Sequence, residues 1–233
     1  MKRHIPNLFT SLNLFSGCIA CMMAFDGLYL WVVIWVIVAA IFDFFDGFMA
    51  RWLNAHSPSG KQLDSLADMV SFGLAPSIAV FTYLSANIAF LSPIDIINPY
   101  IPYISFLLAI FSALRLAKFN IDERQTTSFI GLPTPANALF WISYIYGIQK
   151  IENTTLLVAL TIIFIFVFSF LLIAELPMFS LKIKSFAIKG NELRYLLIVF
   201  LFIAVIVLGI LGITAGMLFY ILISVLSSKR KEA

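Results

Sequence analysis

Long runs of apolar residues, separated by short polar segments, extend along the whole chain. Several runs approach the roughly 20 residues that a helix needs to cross a bilayer. The fifth is shorter, and almost nothing separates the last two. The pattern predicts an all-α, polytopic membrane bundle of about eight transmembrane helices, at residues 8–25, 30–52, 61–86, 101–119, 134–149, 154–174, 193–210 and 213–228.

Composition and charge agree with a protein that lies within a membrane. Hydrophobic residues make up 62% of the 233 residues, and charged residues only 12%. The net charge of +3 is small and spread along the chain, so a nucleic-acid partner is not expected. No repeat or linker divides the sequence. We expect one membrane domain over residues 1–233, in contact with the lipid bilayer, whose last two spans (about 193–228) are accessory and form a homodimer face.

Lysine and arginine fall almost entirely on one side of the predicted bundle. With eight spans, both termini and the loops near 52–60, 120–133 and 175–192 share that side. Of the 15 Lys and Arg residues, only Lys150 falls on the other side. The positive-inside rule therefore predicts that the N- and C-termini are cytoplasmic. We expect an integral protein of the cell (inner) membrane whose active site faces the cytoplasm.

Four of the 12 acidic residues fall within residues 43–68, which cover the end of the second predicted span and the start of the third. Asp43 and Asp46 are three residues apart, and Asp64 and Asp68 are four apart, so each pair lies on one face of its helix. The Ser57–Pro58 pair predicts a helix start between them, with the serine as its N-cap. The stretch predicts an antiparallel helical hairpin whose two arms present two carboxylates each.

Carboxylates where a helix enters a membrane are costly and mark functional sites. Four of them, with no His or Cys in the set, form an all-oxygen site that favours Mg²⁺, Mn²⁺ or Ca²⁺. Their charge balances two divalent cations, and a metal pair about 3.5–4 Å apart can clamp a phosphoryl group. Gly47 and Ala50 leave room for a flat ligand, and Arg51 offers a planar donor fork suited to phosphate.

The whole stretch, D-x2-D-G-x2-A-R-x8-G-x3-D-x3-D, resembles the signature of the CDP-alcohol phosphatidyltransferase family at every fixed position. The resemblance implies that Asp43, Asp46 and Asp64 hold two divalent cations, Mg²⁺ or Mn²⁺, which bridge the diphosphate of a CDP-lipid. It implies that Asp68 completes the metal-binding set and acts as the general base. P-N-x-x-T near the N-terminus resembles the family's element beside the nucleotide, although its polar residues also suit a membrane interface. The residues implied to bind the CDP-lipid are Asn7, Thr10, Gly47, Ala50, Arg51, Ser57 and Gly60.

Three further motifs narrow the resemblance to the phosphatidylserine synthase branch, over roughly residues 3–140. They are D-S-L-A-D-M-V-S-F-G-L-A-P-S, A-L-R-L-A-K-F-N and G-L-P-T-P-A-N-A. The branch implies transfer of a phosphatidyl group from CDP-diacylglycerol to L-serine, with release of CMP. Glycerol 3-phosphate or an inositol phosphate as the acceptor is the nearest alternative. A cation transporter is a remoter one, since intramembrane acids also mark ion pathways.

Four residues are candidates for binding the acceptor alcohol: Ser71, Arg115, Lys118 and Asn120. Ser71 lies one turn beyond Asp68, but its hydroxyl could equally bond back to its own helix. Arg115 and Lys118 could form a cationic patch for an anionic ligand, or anchor the span by reaching the membrane surface. The branch often has Arg where this chain has Lys118, which keeps the charge without the bidentate fork.

Overall fold

The computed structural model describes residues 4–55, 57–88, 98–122, 129–151, 154–179 and 191–232. These are almost entirely helical, which confirms the predicted all-α class. The helices are α1 (His4–Phe25), α2 (Tyr29–Trp52), α3 (Pro58–Asp68), α4 (Ala75–Asn87), α5 (Phe106–Ile121), α6 (Thr134–Ile148), α7 (Thr154–Ile173), α8 (Glu192–Leu208) and α9 (Leu211–Glu232). The remaining elements are a π-helical turn (Met69–Leu74), a 3-10 helix (Asn98–Ser105) and two short antiparallel strands, β1 (Phe129–Ile130) and β2 (Pro177–Met178).

The helices fall into the eight predicted spans, because α3, the π-helical turn and α4 together form the third. Five segments are long and apolar enough to cross a membrane: His4–Phe25, Tyr29–Trp52, Pro58–Asn87, Asn98–Ile121 and Thr155–Ile173. The shorter ones include α6, whose 15 residues extend about 22 Å, and the apolar Leu211–Ser227 part of α9. The chain is an integral membrane protein.

The third span is widened immediately after Asp68. The π-helical turn Met69–Leu74 follows directly, and α4 resumes at Ala75. Ser77 donates its hydroxyl to the Gly73 carbonyl oxygen at 2.7 Å, which satisfies one acceptor of this turn. A π-turn rotates the residues on either side of it relative to a regular helix, and such turns are frequent at functional sites.

Helix α1 packs along the hairpin through a stripe of small and polar side chains. Its buried residues recur every three or four positions: Pro6, Thr10, Asn13, Ser16, Gly17, Ala20, Cys21 and Ala24. Gly17 lies so close to the π-helical turn that an added Cβ would overlap the Ser71 hydroxyl and lie 2.9 Å from the Ser71 Cα. The stripe therefore brings polar residues of α1 into contact with the acidic hairpin.

Polar contacts join the helix ends that were predicted to share a side. Lys61 of α3 donates to the Asn120 carbonyl oxygen at the end of α5, at 2.6 Å. Lys118 forms an ion pair of 3.1 Å with Glu175, just past α7. These ends lie together, as the even span count requires, although which face of the membrane they meet stays a prediction. The loop at 89–97 and the basic segment 180–190 lie outside the described residues.

Backbone bonds around Gly131 fix the start of α6. Gly131 has a positive φ of 78°, and its N–H donates to the Leu176 carbonyl oxygen at 2.9 Å. The Leu132 N–H donates to the Leu171 carbonyl oxygen at 2.9 Å. A Cβ on Gly131 would lie 2.6 Å from the Leu172 carbonyl oxygen, so this close approach requires glycine. The result is a fixed position for Thr134, the first residue of α6.

Candidate active site

The hairpin forms as the sequence predicts. Ser57 is the N-cap of α3, accepting a hydrogen bond of 3.0 Å from the Gly60 N–H, and Pro58 occupies the first helical position. This cap satisfies one of the N–H groups that a helix start leaves unpaired. The cap fixes where α3 begins and thereby which of its residues face α2.

Three of the four predicted carboxylates converge between the arms. Asp43 of α2 and Asp64 and Asp68 of α3 each place a carboxylate oxygen within 4.8 Å of the other two. The Asp43 and Asp64 carboxyl groups are within hydrogen-bonding reach of each other. Two carboxylates so close repel each other unless a proton or a cation lies between them.

Asp46 lies beside this cluster rather than in it. Its side chain is 7% exposed and interacts electrostatically with Asp64, and the Thr10 hydroxyl faces its carboxylate. Among the described residues, Asp46 Oδ2 and Asp64 Oδ1 are buried oxygens without hydrogen-bond partners. The sequence predicts a hairpin whose arms present two carboxylates each, whereas the structure has a compact triad with Asp46 beside it. Asp46 interacts with Asp64 and faces Thr10 of α1.

The donor set fits a hard divalent cation. Every candidate ligand is a carboxylate, and three of the carboxylates converge. One buried oxygen of Asp46 and one of Asp64 lack hydrogen-bond partners among the described residues. Mg²⁺ and Mn²⁺ prefer such oxygen ligands. A bound cation would remove the repulsion that four clustered acids otherwise create.

A cleft of about 450 Å³ opens beside Asp46 and Asp64. It lies between the first turns of α1, the end of α2 and the start of α3. All seven residues predicted to bind the CDP-lipid line it, together with Pro6, Ala55, Pro58 and Lys61, which were not predicted. Asp46 and Asp64 therefore lie in the wall of a cavity large enough for a small ligand.

Small residues and two cations shape this cleft. A Cβ on Gly60 would lie 2.9 Å from the Ser57 Oγ and 3.2 Å from the Asn7 Oδ1, so the glycine lets α1 approach α3. The Arg51 and Lys61 side chains are solvent-exposed at its edge. The cleft thus combines carboxylates at one end with positive charge at its rim.

Asp68 lies deeper than the cleft and is held from α1. Asn13 donates from its amide nitrogen to Asp68 Oδ1 at 3.1 Å, and neither side chain is appreciably exposed. Asp68 also interacts electrostatically with Asp43, Asp64 and Arg115. It is therefore a member of the acidic triad that also interacts with a buried cation.

Arg115 is buried inside the bundle rather than reaching the membrane surface. Its side chain is 7% exposed, Nη1 donates to the Thr134 hydroxyl at 2.8 Å, and the guanidinium carbon lies 5.6 Å from the centre of the Phe119 ring. Among the described residues, no carboxylate lies within 4.0 Å of it. The interpretation of Arg115 as a membrane anchor is therefore wrong.

The other three acceptor candidates all have partners within the protein. Lys118 pairs with Glu175, and the Asn120 amide donates to the Ser65 hydroxyl at 2.8 Å. Ser71 has no exposure and donates to the Asn13 carbonyl oxygen at 3.0 Å, so it bonds to α1 and not back to its own helix. Arg115 interacts electrostatically with Asp68, whereas these three side chains are held by contacts within the protein.

Two polar residues of the site are absent from the predicted set. Asn13 is one of them, although Asn7, Thr10 and Asn13 follow one another at spacings of three, so that Asn13 continues the stripe that carries two of the predicted residues. Lys61 follows Gly60 directly, but nothing in the local sequence shows that its side chain lines the cleft.

Comparison with known proteins establishes the family. A family model described as CDP-alcohol phosphatidyltransferase matches residues 3–221, so the chain belongs to the CDP-alcohol phosphatidyltransferase family. It is 38% identical over 137 residues to a CDP-diacylglycerol–serine O-phosphatidyltransferase of Helicobacter pylori strain J99, which covers 58% of this chain and 54% of that protein. The chain thus matches about half the length of this curated relative. The predicted family resemblance is confirmed.

Two other relatives carry related names. The CDP-diacylglycerol–serine O-phosphatidyltransferase of Bacillus subtilis is 36% identical over 137 residues, covering 57% of this chain and 70% of that protein. An archaetidylserine synthase of Methanothermobacter thermautotrophicus is 29% identical over 168 residues, covering 69% and 66%. Both names describe synthases of serine-containing lipids.

Proposed function

We propose that this protein transfers the phosphatidyl group of CDP-diacylglycerol to L-serine, giving phosphatidylserine and CMP. The observation that carries the proposal is that Asp68, a member of the acidic triad, also interacts electrostatically with the buried cation Arg115. This placement gives one carboxylate access to two differently charged regions. The names of the similar proteins support the same activity.

The cleft suits the nucleotide and diphosphate of the lipid substrate. Arg51 and Lys61 at its rim would attract phosphate oxygens, and Arg51 offers a bidentate fork. Asn7 and Thr10 supply polar groups on the α1 side, and Gly47 leaves that face of α2 without a side chain. The lipid-side phosphorus would then lie at the acidic end of the cleft.

The acidic cluster would hold the divalent cations on which the family depends. When bound there by Asp43, Asp46, Asp64 and Asp68, they would neutralise the diphosphate and stabilise charge that develops during transfer. Mg²⁺ or Mn²⁺, in a pair, fits the oxygen ligands and the count of charges.

Asp68 would act as the general base. The serine hydroxyl oxygen attacks the lipid-side phosphorus and forms a new P–O bond while its proton passes to Asp68. The bond from that phosphorus to the bridging oxygen breaks, and CMP leaves with the bonding electrons. Asn13 orients the carboxylate by donating to Oδ1, which leaves Oδ2 for the proton.

The charges around Asp68 favour serine over a phosphorylated acceptor. Arg115 is a buried cation without a carboxylate within 4.0 Å among the described residues, whereas Lys118 is paired with Glu175. One guanidinium matches the single charge of a carboxylate, while a phosphate monoester carries nearly two and would need a further cation. We therefore assign Arg115, rather than Lys118, Asn120 or Ser71, to the serine carboxylate.

A cation transporter is the alternative from another class. It predicts acids spread along a route through the bundle, whereas the acids here gather at one end of the hairpin, beside a cleft of polar and cationic side chains. This clustering favours the transferase.

The activity test uses the purified full chain in detergent micelles with CDP-diacylglycerol, Mn²⁺ or Mg²⁺, and a panel of alcohols. We expect CMP release with L-serine and none above background with glycerol 3-phosphate or inositol phosphate. Arg115→Ala should raise the KM for serine far more than the KM for the CDP-lipid, since the lost contact belongs to one substrate. CMP release with a phosphorylated acceptor alone would refute the assignment of serine.

We also propose that the site faces the cytoplasm of the cell membrane and that the protein is a homodimer. Nucleotide substrates and the clustering of Lys and Arg support the orientation. Helix α8 supports the dimer, since its side chains are mostly exposed apolar residues and only Leu197 and Ala204 are buried. Cross-linking of a cysteine placed at the exposed Ile203 should give a dimer in native membranes.

A further inference from the structure

Buried polar atoms without hydrogen-bond partners gather on α5 and α6, outside the nucleotide cleft. Among the described residues they are the Ser112 hydroxyl, Arg115 Nε, both polar atoms of the Asn137 amide and the Trp141 indole nitrogen. The two helices are joined here by the 2.8 Å bond from Arg115 to Thr134. Buried polar groups are nearly always paired, so this cluster requires an explanation.

Asn137 is the residue in this group whose side chain has two polar atoms unpaired among the described residues. Its side chain has no solvent exposure, and within the part of the chain that the structure describes neither Nδ2 nor Oδ1 has a partner. It lies one turn after Thr134 on the same face of α6, so the two Cβ atoms are about 5–6 Å apart. The amide is therefore close to the hydroxyl that receives the Arg115 bond.

Two other buried polar groups of α6 are satisfied by the protein itself. Ser143 also has no exposure, and its hydroxyl bonds to the Leu139 and Phe140 carbonyl oxygens and to the Thr214 hydroxyl, at 2.6, 3.1 and 2.8 Å. The Tyr144 hydroxyl bonds to the Thr161 hydroxyl at 3.2 Å. Against this background, the Asn137 amide, unpaired among the described residues, points to a partner that those residues do not supply.

The unpaired groups match a zwitterionic α-amino acid. Arg115 offers a positive charge with no carboxylate within 4.0 Å among the described residues. The Asn137 amide offers donors on its nitrogen and an acceptor on its oxygen. An α-amino acid carries a carboxylate and an ammonium on the same carbon, and thus presents an acceptor and a donor side by side.

We propose that Asn137 determines the acceptor specificity of this enzyme: its Nδ2 donates to the acceptor's carboxylate beside Arg115, and its Oδ1 accepts from the acceptor's ammonium. The proposal rests on the proposed function and defines its acceptor class as hydroxylated α-amino acids. The acceptor's hydroxymethyl group then extends from the same carbon towards Asp68, with which Arg115 interacts.

The variants Asn137→Ala and Asn137→Asp test this, with Ser143→Ala as the matched control on the same helix. Serine-dependent CMP release gives separate KM values for L-serine and CDP-diacylglycerol, and thermal unfolding of each variant gives its stability. We expect Asn137→Ala to raise the serine KM at least tenfold, with the CDP-lipid KM within about twofold. Its unfolding midpoint should not fall, because no bond within the described protein is lost. Asn137→Asp should raise the serine KM further, since a second negative charge would oppose the carboxylate.

Three results would overturn the proposal. They are an unchanged serine KM in Asn137→Ala, equal changes in both KM values, and a lowered unfolding midpoint with unchanged kinetics, which would assign the amide to packing. If the wild-type protein releases no CMP with serine, the proposed function itself fails, so the two failures are distinguishable. Ser143→Ala should lower the midpoint and leave the serine KM unchanged.

Acceptor analogues test the wild-type protein directly and need no folded variant. Ethanolamine lacks the carboxylate and 3-hydroxypropionate lacks the ammonium, while both keep the hydroxyl. We expect both to be used at least tenfold less efficiently than L-serine, by kcat/KM. Equal use of 3-hydroxypropionate and L-serine would eliminate the contact between Asn137 Oδ1 and the ammonium.

Discussion

Asn13 donates a 3.1 Å hydrogen bond to the Asp68 carboxylate from 55 residues away along the chain. The same residue accepts, on its backbone oxygen, the Ser71 hydroxyl bond at 3.0 Å. Helix α1 is therefore bonded to the third span on both sides of the point where the π-helical turn begins. Asp68 is oriented by a helix other than its own.

Replacing Asn13 should impair catalysis more than folding. Asn13→Ala removes the donor that orients Asp68, and residues that orient metal-binding side chains typically contribute about 10–100-fold to activity or metal affinity. We expect kcat to fall by about 10–100-fold and the Mn²⁺ concentration for half-maximal rate to rise. Ser16→Ala is the control, since Ser16 lies on the same stripe but bonds to Leu12 of its own helix. Wild-type kcat and metal dependence in Asn13→Ala would contradict the role.

The acidic cluster should be indispensable for metal binding. Asp43→Asn, Asp46→Asn and Asp64→Asn each remove a carboxylate and unbalance the charge, so turnover should fall at least about 100-fold while the fold is kept. Mn²⁺ binding, followed by electron paramagnetic resonance, should weaken in parallel. Asp26→Asn, at an exposed acid outside the site, should leave both unchanged. Full activity in excess EDTA would refute metal dependence.

The variant Asp68→Asn tests the role of Asp68 as the general base. The amide keeps an oxygen that can accept the Asn13 bond but cannot take up the serine proton. We expect kcat to fall by about 10²–10⁴, the usual loss on removing a general base. CDP-diacylglycerol with Mn²⁺ should still raise the unfolding temperature of the variant. Unimpaired turnover would remove Asp68 from the role of base.

The predictable part of this site is local in sequence. The Ser57 cap, the carboxylate spacings and the hairpin depend on residues within one or two turns of each other, and helix geometry alone places them. The widening after Asp68 was not predicted as a π-turn. The bond from Asn13 to Asp68 and the Lys118–Glu175 pair join residues more than 50 positions apart, and buried Arg115 bonds to Thr134 of another helix. Such contacts depend on how whole helices pack, which periodicity does not specify.

Lys118 shows in detail why such contacts could not be predicted from the sequence. From the sequence, Arg115 and Lys118 form one cationic patch, because they are three residues apart at a helix end. In the structure, Arg115 faces Thr134 inside the bundle, while Lys118 reaches Glu175 at the surface. The two are separated by about 60° around the helix, given 3.6 residues per turn. That rotation suffices to bury one and expose the other.

The orientation of the bundle can be measured by cysteine labelling. In a background with Cys18 and Cys21 replaced by alanine, Ser59→Cys should react with a membrane-impermeant maleimide only from the cytoplasmic side. Asp26→Cys should react only from the opposite side, because it lies in the turn between α1 and α2. Both native positions are exposed to solvent or lipid, so the new side chains are accessible. Labelling of both from the same side would show that α2 does not cross the membrane.

Replacing Gly17 by alanine tests whether the close approach of α1 to the π-helical turn sets the orientation of the Asp68 carboxylate. In Gly17→Ala, the new methyl group would overlap the Ser71 hydroxyl and lie 2.9 Å from the Ser71 Cα, so backbone must move. Overpacking of this kind costs about 1–3 kcal/mol, and the movement would stretch both bonds that Asn13 makes to the third span.

We therefore expect Gly17→Ala to lower both the unfolding midpoint and kcat, with CDP-lipid binding less affected, since the cleft is lined by earlier residues of α1. Cys18→Ala is the matched control, because the adjacent Cys18 side chain is exposed. Adding Ser71→Gly to Gly17→Ala removes the hydroxyl overlap and should recover part of the lost stability. Asn13 would regain its bond to Asp68, so kcat should recover with it. Recovered stability without recovered kcat would show that the helix approach and the orientation of Asp68 are independent.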